Sequence, residues 1–288
     1  MKKVSKKIIG ITGANGALGT AFIKKYKKNF IFKVYKKKIE DQKYFNYWIK
    51  KNHNIEIFIH LAAISSIEAC NKNPRKAYFV NYHSVIKILD ILNKELKSLR
   101  FFLFSSTSHV YKPSFKKISE TKKRLPLSIY GKSKKKTEDY IIKNKKKFNF
   151  KVGITRIFNF YTSKHKRGFF IHDIKKRLNK NYKKIILKKV NTDRDYININ
   201  QLCEIIFFVI KKRIDTPLNV GSGMSINLIN LTKMLARINS QKNMIIFEKR
   251  KYPGFIANIN LLRKFGYKRK IKKFYIKLKK LLFLEQTD

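Results

Sequence analysis

Short β-branched and aromatic runs alternate with stretches of helical spacing through the first half of the chain. Ile8 to Thr12 is a β-branched run that ends in glycines, Ala17 to Tyr26 carries apolar residues at helical spacing, and Phe30 to Tyr35 predicts a second strand. A helix is expected around Tyr44 to Lys51, a strongly apolar strand at Ile55 to Leu61, a helix around Lys76 to Leu99, and a strand at Phe101 to Ser105. A helix from about Ser133 to Lys146 and a strand at Val152 to Ile157 complete the pattern. Strands that alternate with helices in this way predict an α/β fold on a doubly wound parallel sheet, covered on both faces.

After Asn159 the texture changes to shorter elements. A basic loop is expected at Lys164 to Arg167, then helices near Ile171 to Leu178, Ile199 to Lys211 and Leu228 to Ile238, and a Lys-rich C-terminal helix. The Phe and Ile stripe from Ile205 to Ile210 reads as core. Residues 1–160 are therefore expected to form the main domain and 161–288 a smaller, partly interleaved lobe, some of whose strands return to the main sheet. No internal repeat or Pro/Gly/Ser-rich linker marks the boundary.

Composition adds limits. With 288 residues, 43% hydrophobic and 14% aromatic, the chain has material for a large core, so its charge does not imply disorder. That charge is extreme: Lys+Arg 69 against Asp+Glu 17 gives +52 at pH 7. Lysines occur in nearly every segment, from Lys2 and Lys3 through Lys132–Lys136 to Lys279 and Lys280, rather than in one stripe beside stacking aromatics. The excess reads as solvated faces and compositional bias, with no specific nucleic-acid partner. A field of this sign still attracts anionic ligands such as dinucleotides and sugar nucleotides, and binds polyanions diffusely at low salt. Cys70 and Cys203 stand far apart in no metal-ligand spacing, so neither a disulfide framework nor a metal site is expected. The basic N-terminus leads straight into glycines without a signal-peptide h-region, and no run reaches the roughly eighteen apolar residues of a membrane helix. A cytoplasmic, soluble protein is expected.

The chemistry begins at Gly13-Ala14-Asn15-Gly16-Ala17-Leu18-Gly19, between the first strand and the first helix. Glycines there permit a tight turn, close approach of a pyrophosphate and close helix packing, while the helix N-terminus offers oriented N–H groups to phosphates. An acidic residue that binds the ribose hydroxyls of NAD is expected after the second strand. Here Lys36, Lys37 and Lys38 come first, and Glu40 and Asp41 only later. Lysines suit a 2′-phosphate, which favours NADP over NAD. Asp41 belongs, on the other reading, to an adenine-contacting loop.

Tyr130-Gly131-Lys132-Ser133-Lys134 follows Ser105-Ser106-Thr107, which ends a strand. A tyrosine one helical turn before a lysine shares its face. An ammonium beside the phenol is expected to lower its pKa, letting Tyr130 exchange a proton with a substrate oxygen that the Thr107 hydroxyl orients.

In this order the segments resemble the NAD-dependent epimerase/dehydratase family of extended short-chain dehydrogenases. His60-Leu61-Ala62-Ala63 resembles its cofactor-lining motif, Val80-Asn81 its cofactor-contacting asparagine, Ser105 to Tyr111 its serine-rich strand end, and Ser119-Glu120 with Pro126 and Tyr130–Lys134 its active-site stretch. Thr155-Arg156-Ile157-Phe158-Asn159 resembles the segment that places a cofactor-contacting Phe and a substrate-contacting Asn. Arg194-Asp195-Tyr196-Ile197 resembles the motif whose arginine holds the nucleotide diphosphate, and Leu218 to Gly223 a loop that opens the C-terminal lobe. Asn198, Lys112 and Phe255 depart from the family's usual histidine, glycine and aspartate.

The resemblance implies a Rossmann domain with NADP or NAD held by Gly13, Gly16, Ala17, Leu18, Gly19, Lys36, Leu61, Ala62, Ala63, Asn81, Ser105, Tyr130, Lys134 and Phe158. It implies catalysis by Thr107, Tyr130 and Lys134, a nucleotide-diphosphate sugar held by Thr107, His109, Asn159 and Arg194, no metal, and a homodimer through two helices, one carrying Tyr130. Helix surfaces this basic would require charge compensation in such a dimer. Structural readings stay open for His60 as a strand-end histidine, for His109, and for Arg194 as an ion pair with Asp195. Ser108-His109 stands where 4,6-dehydratases place an Asp-Glu pair, which leaves reduction of a 4-keto sugar or 4-epimerisation. The short stretch from the glycine turn to His60 and the lysines after the second strand tilt toward a reductase. The rival from another class is a non-catalytic Rossmann protein that binds polyanions.

Overall fold

The computed structural model describes residues 6–162, 169–180, 182, 184–238 and 244–269. The basic loop expected at Lys164 to Arg167 and the expected C-terminal helix lie outside these residues. The chain forms two compact units: Met1–Lys112, Lys123–Ile157 and Cys203–Leu218 make the first, and Pro113–Lys122, Phe158–Leu202 and Asn219–Asp288 the second.

In chain order, the first unit runs β1 (Ile8–Thr12), α1 (Ala17–Tyr26), β2 (Ile31–Val34), α2 (Gln42–Lys51), β3 (Ile57–His60), α3 (Ile67–Lys72), α4 (Pro74–Tyr78), α5 (Ser84–Glu95), β4 (Phe101–Thr107), α6 (Ile129–Asn144) and β5 (Lys151–Ile157). Then come β6 (Asn159–Tyr161), α7 (Phe170–Leu178), β7 (Lys184–Leu187) and β8 (Thr192–Asn198). The chain changes unit within α8 (Ile199–Lys212) and again within β9 (Pro217–Val220). It ends in β10 (Ser225–Asn227), α9 (Leu228–Ile238), β11 (Met244–Phe247), β12 (Tyr252–Phe255) and α10 (Asn260–Lys264).

The main sheet has six strands in the order β2-β1-β3-β4-β5-β9, with parallel pairing of β1 to β2 and β3, of β3 to β4 and of β4 to β5. This is the doubly wound α/β architecture that the alternating pattern predicts. Because β2 and β3 flank β1 on opposite sides, the chain direction reverses at β1, and the crevice beyond the carboxyl ends of such strands is where open α/β sheets bind ligands. On one face of the sheet an apolar cluster gathers Phe45 and Ile49 of α2, Val85, Ile88, Leu89 and Leu92 of α5, and Phe58, Phe102 and Phe104 of the sheet.

Helix starts fall where local caps put them. Ser128 accepts a hydrogen bond from the Gly131 N–H at 3.1 Å, so α6 begins at Ile129 rather than at the expected Ser133 and takes in both Tyr130 and Lys134. The helix expected from Lys76 to Leu99 is present over residues 74–95, with one turn of it wound as a π turn. Asn73 caps α4, with Pro74 at its first position, and a π turn over Phe79–His83 precedes α5. A π turn admits an extra residue into the helix, and here it carries the fully buried Asn81.

In the second unit β8 is the centre of a small sheet, flanked by β10 and β12, and it also pairs with β6. A parallel pair joins β7 and β11. Strands of three to seven residues among polar neighbours gave no periodic signal, so the helices of this region were placed in the sequence while its individual strands were not. Among the described residues no helix is long and apolar enough to cross a membrane.

His60 ends β3 fully buried, stacked against Phe102 and Phe104 and sharing a 2.9 Å hydrogen bond with the Thr12 hydroxyl. Burial, assisted by the Lys134 charge, lowers its pKa to about 3. This is the structural histidine of the alternative reading. Between that value and the ordinary value near 6.5 the unfolded chain binds a proton that the folded chain refuses, so stability falls as the pH drops through this window. Replacing His60 with Phe, which suits the ring stack, should cost about 1 kcal/mol near neutral pH through the lost Thr12 bond. It should also remove a few kcal/mol of acid sensitivity, as read by urea unfolding at about pH 7 and about pH 4. An unchanged acid dependence would show that His60 is not its source.

Candidate active site

Gly13 adopts φ +73°, and a methyl group there would stand 2.6 Å from the Ala62 nitrogen. Only glycine accepts both demands. At Gly19 a methyl would run into the Gly13 carbonyl, so α1 lies hard against the turn that precedes it. The Gly16 N–H donates to the Gly13 carbonyl at 3.1 Å, and Ala17 and Leu18 open the helix, which points its free N–H groups back toward the turn.

Beside this turn is a cavity of about 290 Å³. Residues 13–16 form one wall, Ala62, Ala63 and Ile64 another, and residues 35–40 with Lys76 and Val80 the remainder. Lys36 lines it as expected, joined by Lys37, Lys38 and Lys76, with Glu40 as the carboxylate in the lining. Lys76 was invisible to sequence reasoning because it enters from α4, some forty residues along the chain. Backbone N–H groups, glycines that a Cβ would fill, and ammonium groups on two walls fit the pyrophosphate and adenosine end of a dinucleotide. Leu61 is outside the lining; its N–H donates to the Thr12 carbonyl at 3.2 Å and so extends the pairing of β1 with β3.

Asn81 ties this cavity to α6. Its side chain accepts from the Ile64 N–H at 2.9 Å and donates to the Ile64 carbonyl at 3.0 Å and to the Ser133 hydroxyl of α6 at 3.1 Å. Thr137, one turn further along α6, donates to the Asn81 carbonyl at 2.7 Å. The amide is thus engaged in holding the 62–64 segment against α6.

Tyr130 is half-buried at the start of α6, with Thr107 and His109 facing it from the end of β4 and the turn that follows. Its ring lies 6.1 Å from that of His109. A methyl at Gly131 would collide with the His109 carbonyl, which explains the glycine beside the tyrosine: the helix start presses directly onto the 108–110 turn. Lys134 is buried, donating to the Ser105 carbonyl at 2.8 Å with its ammonium 4.5 Å above the Phe104 ring.

The protonation pattern corrects the sequence expectation. Burial pushes the Tyr130 phenol up to about 12, with the Thr107 hydrogen bond pulling in the other direction. Burial lowers Lys134 to about 7, opposed by the Glu138 carboxylate. Desolvation of both groups outweighs the acidification that the Tyr–Lys spacing predicts.

A buried polar network behind these residues was not foreseen. Glu138, fully buried on α6, accepts from the Ser106 hydroxyl at 2.5 Å, from Arg156 Nε at 3.1 Å and Nη2 at 2.8 Å, and from Arg124 at 3.0 Å. Arg156 also donates to the Tyr111 hydroxyl at 2.6 Å. The available signal was the i,i+4 spacing of Lys134 and Glu138, which reads as an ordinary surface pair in so charged a helix.

Phe158, Asn159 and Arg194 belong to the second unit. Phe158 is buried, and its N–H donates to the Val220 carbonyl at 2.9 Å. Asn159 donates to the Asp195 carbonyl at 3.3 Å. Asp195 accepts from the Ser222 N–H and hydroxyl, the Gly223 N–H and the Ala257 N–H, at 2.6–3.1 Å. Arg194, on the opposite face of β8, stacks on the Phe255 ring at 4.9 Å, so the ion pair with Asp195 does not form.

Residues 9–221 match the model of the NAD-dependent epimerase/dehydratase family. The chain belongs to this family. Within the family it is 24% identical over 196 residues to an uncharacterised UDP-glucose epimerase of Bacillus subtilis, covering 67% of this chain and 61% of that relative's length. It is 23% identical over 236 residues to GDP-6-deoxy-D-talose 4-dehydrogenase of Aggregatibacter actinomycetemcomitans, covering 80% and 79% of the two. Its fold is similar to the UDP-glucose 4-epimerase of Thermus thermophilus solved with NAD, with a TM-score of 0.84 at 15% identity over 97% of this chain and 99% of that one.

The turn at Gly13 makes the sharpest test of the cradle. Gly13→Ala should destabilise the protein by about 1–3 kcal/mol and weaken NADH and NADPH binding at least about tenfold, because the backbone must move off both φ and Ala62. Denaturant unfolding and fluorescence titration measure the two effects. Wild-type affinity in the variant would place the dinucleotide elsewhere.

Proposed function

We propose that the protein is an NAD(P)-dependent oxidoreductase that moves a hydride at a carbon of a nucleotide-diphosphate sugar, by preference in the reduction of a 4-keto sugar. The observation that carries this reading is the hydrogen-bonded link from the lysine-lined glycine cradle, through Ile64 and Asn81, to the helix that bears Tyr130 and Lys134. When bound, the nicotinamide supplies or accepts the hydride. The remaining work falls to this chain's residues. Tyr130, which keeps its proton at neutral pH, donates it to the carbonyl oxygen as that carbon is reduced. The Thr107 hydroxyl orients the same oxygen, and Lys134 holds the ribose hydroxyls beside it. His109, whose ring lies beside that of Tyr130, is a sugar contact on this reading. In the second unit, taken by itself, Arg194 with its guanidinium braced on Phe255 suits a diphosphate.

A loaded acid supports the reductive direction, and lysines on two walls of the cavity support NADP through its 2′-phosphate. A 4-epimerase that retains NAD is the second reading, supported by the relatives named as UDP-glucose epimerases.

Incubation with dTDP-, GDP-, CDP- and UDP-4-keto sugars should oxidise NADPH stoichiometrically, and Tyr130→Phe should slow turnover by about 10²–10⁴-fold with little change in cofactor affinity. Undiminished activity in that variant would refute the acid assignment. Interconversion of sugars with no net oxidation of added cofactor would select the epimerase. Lys36→Asp should shift the NADPH to NADH affinity ratio at least about tenfold toward NADH. An unmoved ratio would remove Lys36 from cofactor choice.

A further inference from the structure

Two consecutive residues at the end of β4 are gripped by two residues one turn apart on α6. The Ser105 carbonyl takes the Lys134 ammonium at 2.8 Å, and the Ser106 hydroxyl donates to the Glu138 carboxylate at 2.5 Å. Thr107 follows directly on the strand. The third element is β5, whose Arg156 is the register partner of Ser106 and holds the same carboxylate through two nitrogens. The carboxylate is fully buried, Arg156 is 2% exposed and Lys134 1% exposed. We propose that Glu138 is a positioning residue of the reaction, acting through Ser106 and Lys134 to hold the Thr107 hydroxyl and the Lys134 ammonium in their working places.

The charges around Lys134 give this role an electrostatic side. Its titratable neighbours are Cys70 from α3, His60 from β3 and Glu138 from its own helix, with Tyr130 one turn earlier on α6 and Arg156 of β5 behind Glu138. Burial raises the Cys70 thiol and the Tyr130 phenol and lowers His60, so all three are neutral near pH 7. Glu138 is the anion in this set. It opposes the burial that drives the proton off Lys134, and with its charge removed the Arg156 guanidinium is left uncompensated in the same core. Lys134 then loses its proton at lower pH.

The inference rests on the dinucleotide reading proposed above, and NADH and NADPH are the probes. Fluorescence titrations of both between about pH 5.5 and 9 compare wild type with Glu138→Gln; because the comparison is made at each pH, the titration of the 2′-phosphate itself cancels. The midpoint at which affinity is lost with rising pH should move down by about one unit in Glu138→Gln, which weakens binding near pH 7 up to about tenfold. Glu138→Asp, which keeps the charge, should keep the wild-type midpoint. If Glu138→Gln does not fold, Glu138→Gln with Arg156→Met replaces the ion pair by a neutral one, and its midpoint should lie below the wild type's. A folded Glu138→Gln, or the double variant, with a wild-type midpoint overturns the proposal. Failure of the wild type to bind either nucleotide at any pH overturns the functional reading on which the proposal stands.

Discussion

A carboxylate with no access to water organises the packing of α6 on β4 and β5. Burying Glu138 costs several kcal/mol unless its oxygens are met by charge and hydrogen bonds. The chain meets them with a guanidinium from β5, a hydroxyl from β4 and a second guanidinium from the loop before α6. That requirement fixes one register of α6 on the sheet. A slide of the helix by one residue leaves a bare charge in the core, an error far larger than any loss of apolar contact. Tyr130 and Lys134 inherit their positions from this constraint, because they lie two turns and one turn before Glu138 on the same helix. The Tyr111 hydroxyl against Arg156 extends the same lock to the segment that leads out of β4.

A second constraint works by exclusion rather than attraction. Between Gly13 and Ala62, between Gly19 and the turn, and between Gly131 and His109 the backbones approach too closely for any side chain. Each approach closes one boundary of the site: the first two set the cradle, and the third sets the tyrosine against the strand end. Asn81 then joins the cradle to α6, and it reaches both only because a π turn rotates it inward from what is otherwise a regular helical face. Three close approaches and one amide bridge make the site a property of several chain segments at once.

What was legible in the sequence follows from this. The first five strands of the main sheet and α1 could be read because their periodicity is local, whereas β9, its sixth strand, lies in a segment that reads as a loop. The glycine turn and the Tyr130–Lys134 spacing could be picked out as motifs because they too are local. The helix over the 76–99 segment was legible but the π turn inside it was not, since one extra residue in a turn leaves no mark in the apolar spacing. Lys76 was hidden by the surplus of lysine, which removes the information that a single basic residue would carry. Glu138 and Arg156 were hidden in the opposite way: each looks like a surface charge until β4, β5 and α6 are assembled. The small sheet around β8 was missed because its strands are short and half polar, and Arg194 and Asp195 showed their separate tasks only once they stood on opposite faces of one strand.

The resting protonation of the Tyr–Lys pair is the place where local reasoning gave the wrong sign. Spacing alone predicts attraction between ammonium and phenolate, and in water that attraction would lower the phenol. In a dry site both charged forms are penalised first, and the nearer anion to Lys134 is Glu138 rather than a phenolate. The outcome is a phenol that holds its proton and an amine close to its own midpoint. The pair thus keeps a proton on the oxygen, while the charge of the amine answers to its neighbours. Positive charge brought to the phenol would act against burial and pull its proton off more readily, so the state of this pair depends on what is placed beside it as well as on the two residues themselves.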